Sequence, residues 1–241
     1  MSQPSGRLSE LSHLESTVKL DRTLLKDQAA EILRDHISSG RIPEGIRLTE
    51  REVSQMLGIS RMPAREALMV LEAEGLVERR GDDRHVVELS EQRVRDLHAV
   101  RRILEKLAAE LAAANISEAN RAALRARFRE LEEAVATGDL ALCTKRDLAI
   151  HRTIWLQANN PYLLKVLDSI LGVIFVLSAH VKFYGTGITD RLLNQHRELV
   201  ELIASGDGEG AAQSLEGQLT LALGNSLSSF RIQDRADASD S

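Results

Sequence analysis

The chain has 241 residues, enough for two domains of ordinary size, and 43% hydrophobic with 28% charged residues exclude disorder throughout. A single cysteine, Cys143, excludes an intramolecular disulfide and a thiolate zinc site and points to a reducing, cytoplasmic compartment; no apolar run is long enough for a membrane span or a secretion signal. The net charge of −5 excludes a chain that coats nucleic acid indiscriminately, while a local basic surface remains compatible with it. Residues 1–20 read as a polar, mobile arm. From Leu25 to Gly40 apolar residues recur at three and four, which predicts a first helix. Pro43 and Gly45 mark a turn, and Thr49 with Glu52 has the T-x-x-E spacing of a reciprocal helix cap, so a short helix is predicted over 50–57. Gly58 suits its left-handed end, Ser60 is placed to cap the next helix, and Pro63 falls in that helix's permissive first turn. The third helix is expected to stop near Gly75. Residues 76–78 and 86–89 then read as strands around the polar tip Gly81 to His85. From Ser90, a plausible N-cap, the chain turns to helices with few glycines or prolines. They are expected at 91–115, 118–137, 139–158, 161–183, 188–205 and 208–230, packed as a six-helix bundle. The fold class is therefore mostly α: a helix-turn-helix with a hairpin wing over 21–89, an all-α unit over 90–231, and a polar, mobile tail over 232–241.

Arg61 and Arg65 stand four apart at a helix start, on one face, where they can enter a major groove beside phosphate-binding amides. Either can fork onto guanine. On a solvated face the same residues would pair with Glu66 or Glu72. Residues 25–89 carry ten Lys or Arg against thirteen Asp or Glu, so DNA binding requires the positive charges to be segregated onto one side.

The segment LTEREVSQMLGISRMPAREALMVLEAEGLVERR, Leu48 to Arg80, resembles the winged helix-turn-helix of the GntR family of bacterial transcription regulators, through the S-R-x-P-x-R-E-A-L pattern at Ser60, Arg61, Pro63, Arg65, Glu66, Ala67 and Leu68. The resemblance implies a DNA-binding set of Arg51, Ser60, Arg61 and Arg65, with Arg51 facing the backbone or forming an intrahelical ion pair. Arg79 and Arg80 either join the set from the wing or are ordinary surface charges. The wing departs from the family pattern in carrying Asp82 and Asp83 at its tip, and these should repel phosphate.

Residues 90–230 resemble the FCD ligand-binding domain of the FadR-like branch of that family, through Arg101 with Leu104-Glu105, Asp147-x-x-x-His151, Asn160-Pro161 and His196. Asp147 and His151 are one helical turn apart, a spacing that lets a carboxylate and an imidazole meet one cation or simply bond to each other. The resemblance implies a divalent metal, zinc or nickel, on Asp147, His151 and His196. The position of a further histidine in metal-binding relatives falls on Gln218, which offers only a neutral amide oxygen. His180 could supply another nitrogen but reads as a core residue. Arg101 and Arg102 could hold a carboxylate effector in bidentate fashion or pair with Glu105. The expected protein is a homodimeric regulator that binds a short palindrome in double-stranded DNA and senses a small carboxylate. It is not expected to be an enzyme. The competing readings are a metal-dependent hydrolase using Asp147, His151 and His196 around an open water position, and a regulator whose effector pocket is degenerate.

Overall fold

The computed structural model describes residues 25–174, 176 and 188–239; the arm expected over 1–20 lies outside them. The chain divides into two compact units, one of residues 1–89 with 168–176, the other of 90–167 with 177–241.

The first unit holds α1 (Leu25–Ser38), β1 (Arg47–Leu48), α2 (Glu50–Leu57), α3 (Arg61–Ala73), β2 (Val77–Arg80) and β3 (Asp83–Val86). Thr49 and Glu52 form the expected reciprocal cap: the Glu52 amide donates to Thr49 Oγ1 at 3.2 Å, and the Thr49 amide to Glu52 Oε2 at 3.2 Å. Gly58 ends α2 in the left-handed region, at φ 64°. Ser60 is the N-cap residue of α3, but its hydroxyl makes no capping bond, which differs from the expectation. The strands also differ. They form a three-stranded antiparallel sheet in the order β1-β3-β2, with Arg80 paired to Asp83, so the tip is the two residues Gly81 and Asp82 instead of five. Positive φ at Gly81 makes that tight turn possible. Strand β1 was not expected, because two residues carry no readable alternation. The core joins Leu33, Ile42, Leu48, Val53, Leu68, Leu71, Val77 and Val86.

Residues 168–176 also belong to this unit, with Val176 in its core. The helix expected over 161–183 ends at Asp168 instead. Gly172 donates its amide to Glu74 O at 3.1 Å, and a Cβ there would stand 2.5 Å from Leu76 Cγ, so no larger residue fits without displacing Leu76. Apolar spacing through Ile170, Leu171 and Ile174 concealed this break.

The second unit holds α4 (Glu91–Ala114), α5 (Glu118–Thr137), α6 (Leu140–Gln157), α7 (Pro161–Asp168), α8 (Ile188–Ser205) and α9 (Gly208–Ser239). Ser90, Ser117 and Asp139 cap α4, α5 and α6 by accepting backbone amides. Helix α4 packs most extensively along α9, and α5 packs on α6 and α8. Helix α6 is buried on most of its surface, with Cys143, Ile150, Ile154 and Trp155 all enclosed. Helix α9 runs to Ser239, through residues that the sequence suggested as a polar tail. His180 lies outside the described residues.

Candidate functional site

In the first unit, α3 turns Ala64, Ala67, Leu68 and Leu71 into the core and leaves Arg61, Met62, Arg65, Glu66 and Met69 on the opposite, exposed face. An open cavity of about 360 Å³ is lined by Thr49, Glu50, Arg51, Arg61, Asp82, Asp83 and Arg84, among others. Arg51 and Arg61 are therefore brought together, and neither makes an ion pair among the described residues. Arg65 Nε stands 3.8 Å from Glu50 Oε1, an exposed and weak pair. Arg79 is 2.8 Å from Glu72, and Arg80 is 2.8 Å from Glu78 and 3.2 Å from Glu88. These carboxylates raise the guanidinium affinity of Arg80 for its proton and must yield before either wing arginine meets phosphate. Asp83 is 3.1 Å from Arg47, which offsets one of the two acidic tip charges.

Arg84 has the role that the sequence did not reveal. Its side chain is only 13% exposed, with Nε 2.9 Å from Glu72 Oε2 and Nη1 3.7 Å from Glu50 Oε1. It latches the third strand to α2 and α3. Burial pushes the Glu72 carboxyl up, but hydrogen bonds from Arg84 and Arg79 outweigh it and hold the group below its ordinary value.

In the second unit, Asp147 and His151 on α6 meet His196 on α8, with all three buried. Their candidate ligand atoms lie within 4.8 Å of one another. His196 Nε2 is 2.7 Å from Asp147 Oδ1 and 3.3 Å from His151 Nε2, and His151 Nε2 is 3.7 Å from Asp147 Oδ1. The outward nitrogens fix the tautomers. His196 Nδ1 lies 2.9 Å from the Leu192 carbonyl, which can only accept, so Nδ1 carries the proton. His151 Nδ1 faces Glu105 Oε2 at 3.1 Å, an ion-pair distance from a carboxylate that can only accept, which favours the proton on Nδ1. In the neutral rings both Nε2 atoms then present lone pairs toward each other and toward a carboxylate oxygen. Such a cluster of acceptors is stabilised by a cation or a proton at its centre, and a carbonyl or carboxylate behind the outward nitrogen is the kind of partner that orients metal-binding histidines. The donor set thus fits a divalent ion.

Burial lowers the proton affinity of His151, but the adjacent Glu105 carboxylate, with the Asp147 charge, outweighs it and raises its pKa above the ordinary value. Glu105 has no exposed surface. Burial pushes its carboxyl up, yet the charges of Arg101 and the adjacent His151 dominate and hold it at about 2. Arg101 Nε donates to Glu105 Oε1 at 2.6 Å, while its terminal nitrogens make no hydrogen bond or ion pair among the described residues. Arg102 is on a different, exposed face, 3.7 Å from Glu216, which also pairs with Lys106. The two arginines are not brought together. Gln218 Nε2 donates to the Gln195 carbonyl at 3.0 Å and lies 3.4 Å from Ser214 Oγ, which leaves Oε1 as a buried oxygen with no hydrogen bond among the described residues.

Glu105 was visible in the sequence only as a partner for Arg101, and His98 was missed. A buried stripe of α4 carries Val94, His98, Arg101, Glu105, Ala108 and Ala112, so polar residues at three- and four-residue steps on an alanine-rich face were the available signal.

Two family models match this chain: the description "Bacterial regulatory proteins, gntR family" over residues 25–87, and "FCD domain" over residues 96–220. The "Probable D-xylose utilization operon transcriptional repressor" of Paenarthrobacter nicotinovorans is 28% identical over 82% of this chain and 86% of its own length. The "Gluconate operon transcriptional repressor" of Bacillus licheniformis is 26% identical over 76% and 77%. The solved structure of "E. coli McbR/YncC" superposes with a TM-score of 0.73 at 20% identity, covering 86% of this chain and 98% of that one, a likeness of fold. No helix among the described residues is long and apolar enough to cross a membrane. With both of its domains matched, the chain belongs to the GntR family of transcription regulators, with a DNA-binding winged helix-turn-helix followed by an FCD domain.

Proposed function

We propose that this regulator binds a short near-palindrome as a homodimer, reading bases with Arg61 and Arg65 while Ser60 and Arg51 hold phosphates. Arg79 and Arg80 join from the wing once DNA displaces their carboxylates. In the helical unit a divalent ion is held by Asp147 and by Nε2 of His151 and His196, with the Gln218 amide oxygen as a weaker fourth donor. A bound ion would act as a Lewis acid for an oxygen-donor effector. The Arg101 terminal nitrogens supply an anchor for a small carboxylate, whereas the exposure of Arg102 argues against a direct part for it. The observation that carries this reading is the convergence of two imidazole Nε2 atoms and a carboxylate oxygen, with His196 Nδ1 bonded to the Leu192 carbonyl and His151 Nδ1 held against the Glu105 carboxylate.

Metal analysis of protein purified without chelator or histidine tag tests it. One divalent ion per chain is expected, lost in His151→Ala, with zinc or nickel held more tightly in Gln218→His because imidazole nitrogen suits these ions better than an amide oxygen. Metal that binds the folded state raises the thermal midpoint. No stoichiometric metal in the wild type, none after soaking and none gained by Gln218→His would overturn the metal-centred reading and favour a metal-independent pocket, with DNA binding unaffected.

A further inference from the structure

The exposed face of α3 carries two large apolar side chains in a place where solvent penalises them. Met62 is 67% exposed and Met69 51% exposed, and no other large hydrophobic residue described in the winged unit exceeds half exposure. With 3.6 residues per turn, Met62 lies about 180° round the helix from buried Leu71 and about 200° from buried Ala64. It therefore stands at the middle of the outward face. Its neighbours are Arg61, which makes no ion pair among the described residues, and Arg65, whose one weak partner is 3.8 Å away. Ser60, just before it, keeps its hydroxyl out of the helix cap.

We infer that Met62 reads thymine, by packing its thioether chain against the C5-methyl group in the major groove. This rests on the proposal that α3 enters that groove. The charge on either side fits a polyanion and disfavours an apolar protein partner, and within a major groove the apolar feature on a base edge is the thymine methyl. A guanidinium fork cannot read that methyl. Methionine's unbranched, adaptable chain can follow it without demanding one angle of approach. Arg61 and Arg65 then identify guanine while Met62 identifies thymine next to it, so one helical turn reads two different chemistries. Met69, two turns further along, lies farther from the N-terminal end that contacts base edges in helix-turn-helix complexes.

The test uses the full-length chain and the duplex that it enriches from a random-sequence DNA library. Each thymine of that duplex is replaced in turn by deoxyuridine, which deletes only the methyl group. At one thymine per half-site the replacement is expected to weaken wild-type binding roughly fourfold, the equivalent of one buried methylene-sized group, and about sixteenfold when both half-sites are changed. Met62→Ala should bind the thymine duplex with the same loss and show no further loss on deoxyuridine, while Met69→Ala keeps the wild-type sensitivity. An unchanged thermal midpoint checks that Met62→Ala is folded. A flat deoxyuridine scan, or sensitivity that persists in Met62→Ala, overturns the assignment. If a site is enriched and Arg65→Ala loses it while the scan is flat, the reading of α3 survives and the role of Met62 falls. If no site is enriched, or Arg65→Ala binds it unchanged, both fall.

Discussion

Nδ1 of His151 stands 3.1 Å from Oε2 of Glu105, although Glu105 has no exposed surface at all. A fully buried carboxylate persists because Arg101 neutralises it from the other side, at 2.6 Å. Glu105 thereby sets which nitrogen of His151 faces the proposed metal. Glu105→Gln keeps the shape but removes the charge behind Nδ1, and is expected to lower metal affinity about 10- to 100-fold in a competition assay with a chromogenic chelator. Glu105→Leu leaves Arg101 buried and alone, with an expected cost of about 3–5 kcal/mol, much of it recovered by adding Arg101→Met. Unchanged affinity in Glu105→Gln, with the fold intact, would remove this orienting role.

His98 is buried on the same face of α4, and burial followed by the Arg101 charge lowers its pKa from 6.5 to about 4. An unfolded chain binds this proton near pH 6.5, whereas the folded chain resists until about pH 4. The unfolded state is therefore favoured increasingly as pH falls through that window. Carboxylates elsewhere also titrate, so the comparison with His98→Phe isolates the effect. Thermal midpoints of the two proteins should converge, or the variant should overtake the wild type, between pH 7 and 4. Parallel curves across the window would contradict the shift.

Arg65 and Arg51 should fail differently. Arg65→Ala is expected to cost roughly 1–3 kcal/mol per half-site and to relax sequence preference there. Arg51→Ala should weaken binding almost equally on all sequences and reduce the salt slope by about one. Equilibrium binding to the selected duplex and a scrambled duplex, over a salt series, separates the two. Identical behaviour on both duplexes for Arg65→Ala would mean that it only contacts phosphate.

Val100, Ile103 and Leu107 lie three and four apart on one exposed face of α4, with Ile103 68% exposed. A stripe of this kind, on the helix that packs along α9, is suited to a second copy of the chain. Ile103→Glu is expected to shift sedimentation of the full chain toward monomer at micromolar concentration and to reduce operator affinity through loss of the coupled half-site. A dimer of unchanged stability would place the contact elsewhere.

The sequence made the helical start and stop points legible where a side chain acts on its own backbone. Thr49 with Glu52, Gly58 and Ser90 stand where local hydrogen bonding requires them. It was less informative where the cause is tertiary. The break after Asp168 depends on Gly172 meeting Leu76, nearly a hundred residues away, and β1 exists because β3 pairs with it. At the candidate centre, the one-turn spacing of Asp147 and His151 could be read directly, and the resemblance supplied His196. The place of Glu105 behind His151 escaped, and so did His98, because i,i+3 and i,i+4 spacing looks the same on a solvated face as on a buried one. The opposite fates of Arg101 and Arg102, adjacent in sequence, follow from the 100° step between consecutive helical residues.

Arg84 is held by Glu72 and Glu50, so the hairpin is braced against the reading helix at a set angle instead of hanging as a separate arm. A braced pair of probes behaves like a caliper. With α3 in the groove as proposed, it is expected to seat fully only on duplex whose groove width and local twist match its span, so that sequences resisting that shape lose affinity at base pairs no side chain reaches. Stiff or easily deformed steps flanking the half-site are therefore expected to become part of what this regulator recognises, with a carboxylate–guanidinium latch as the instrument that measures them.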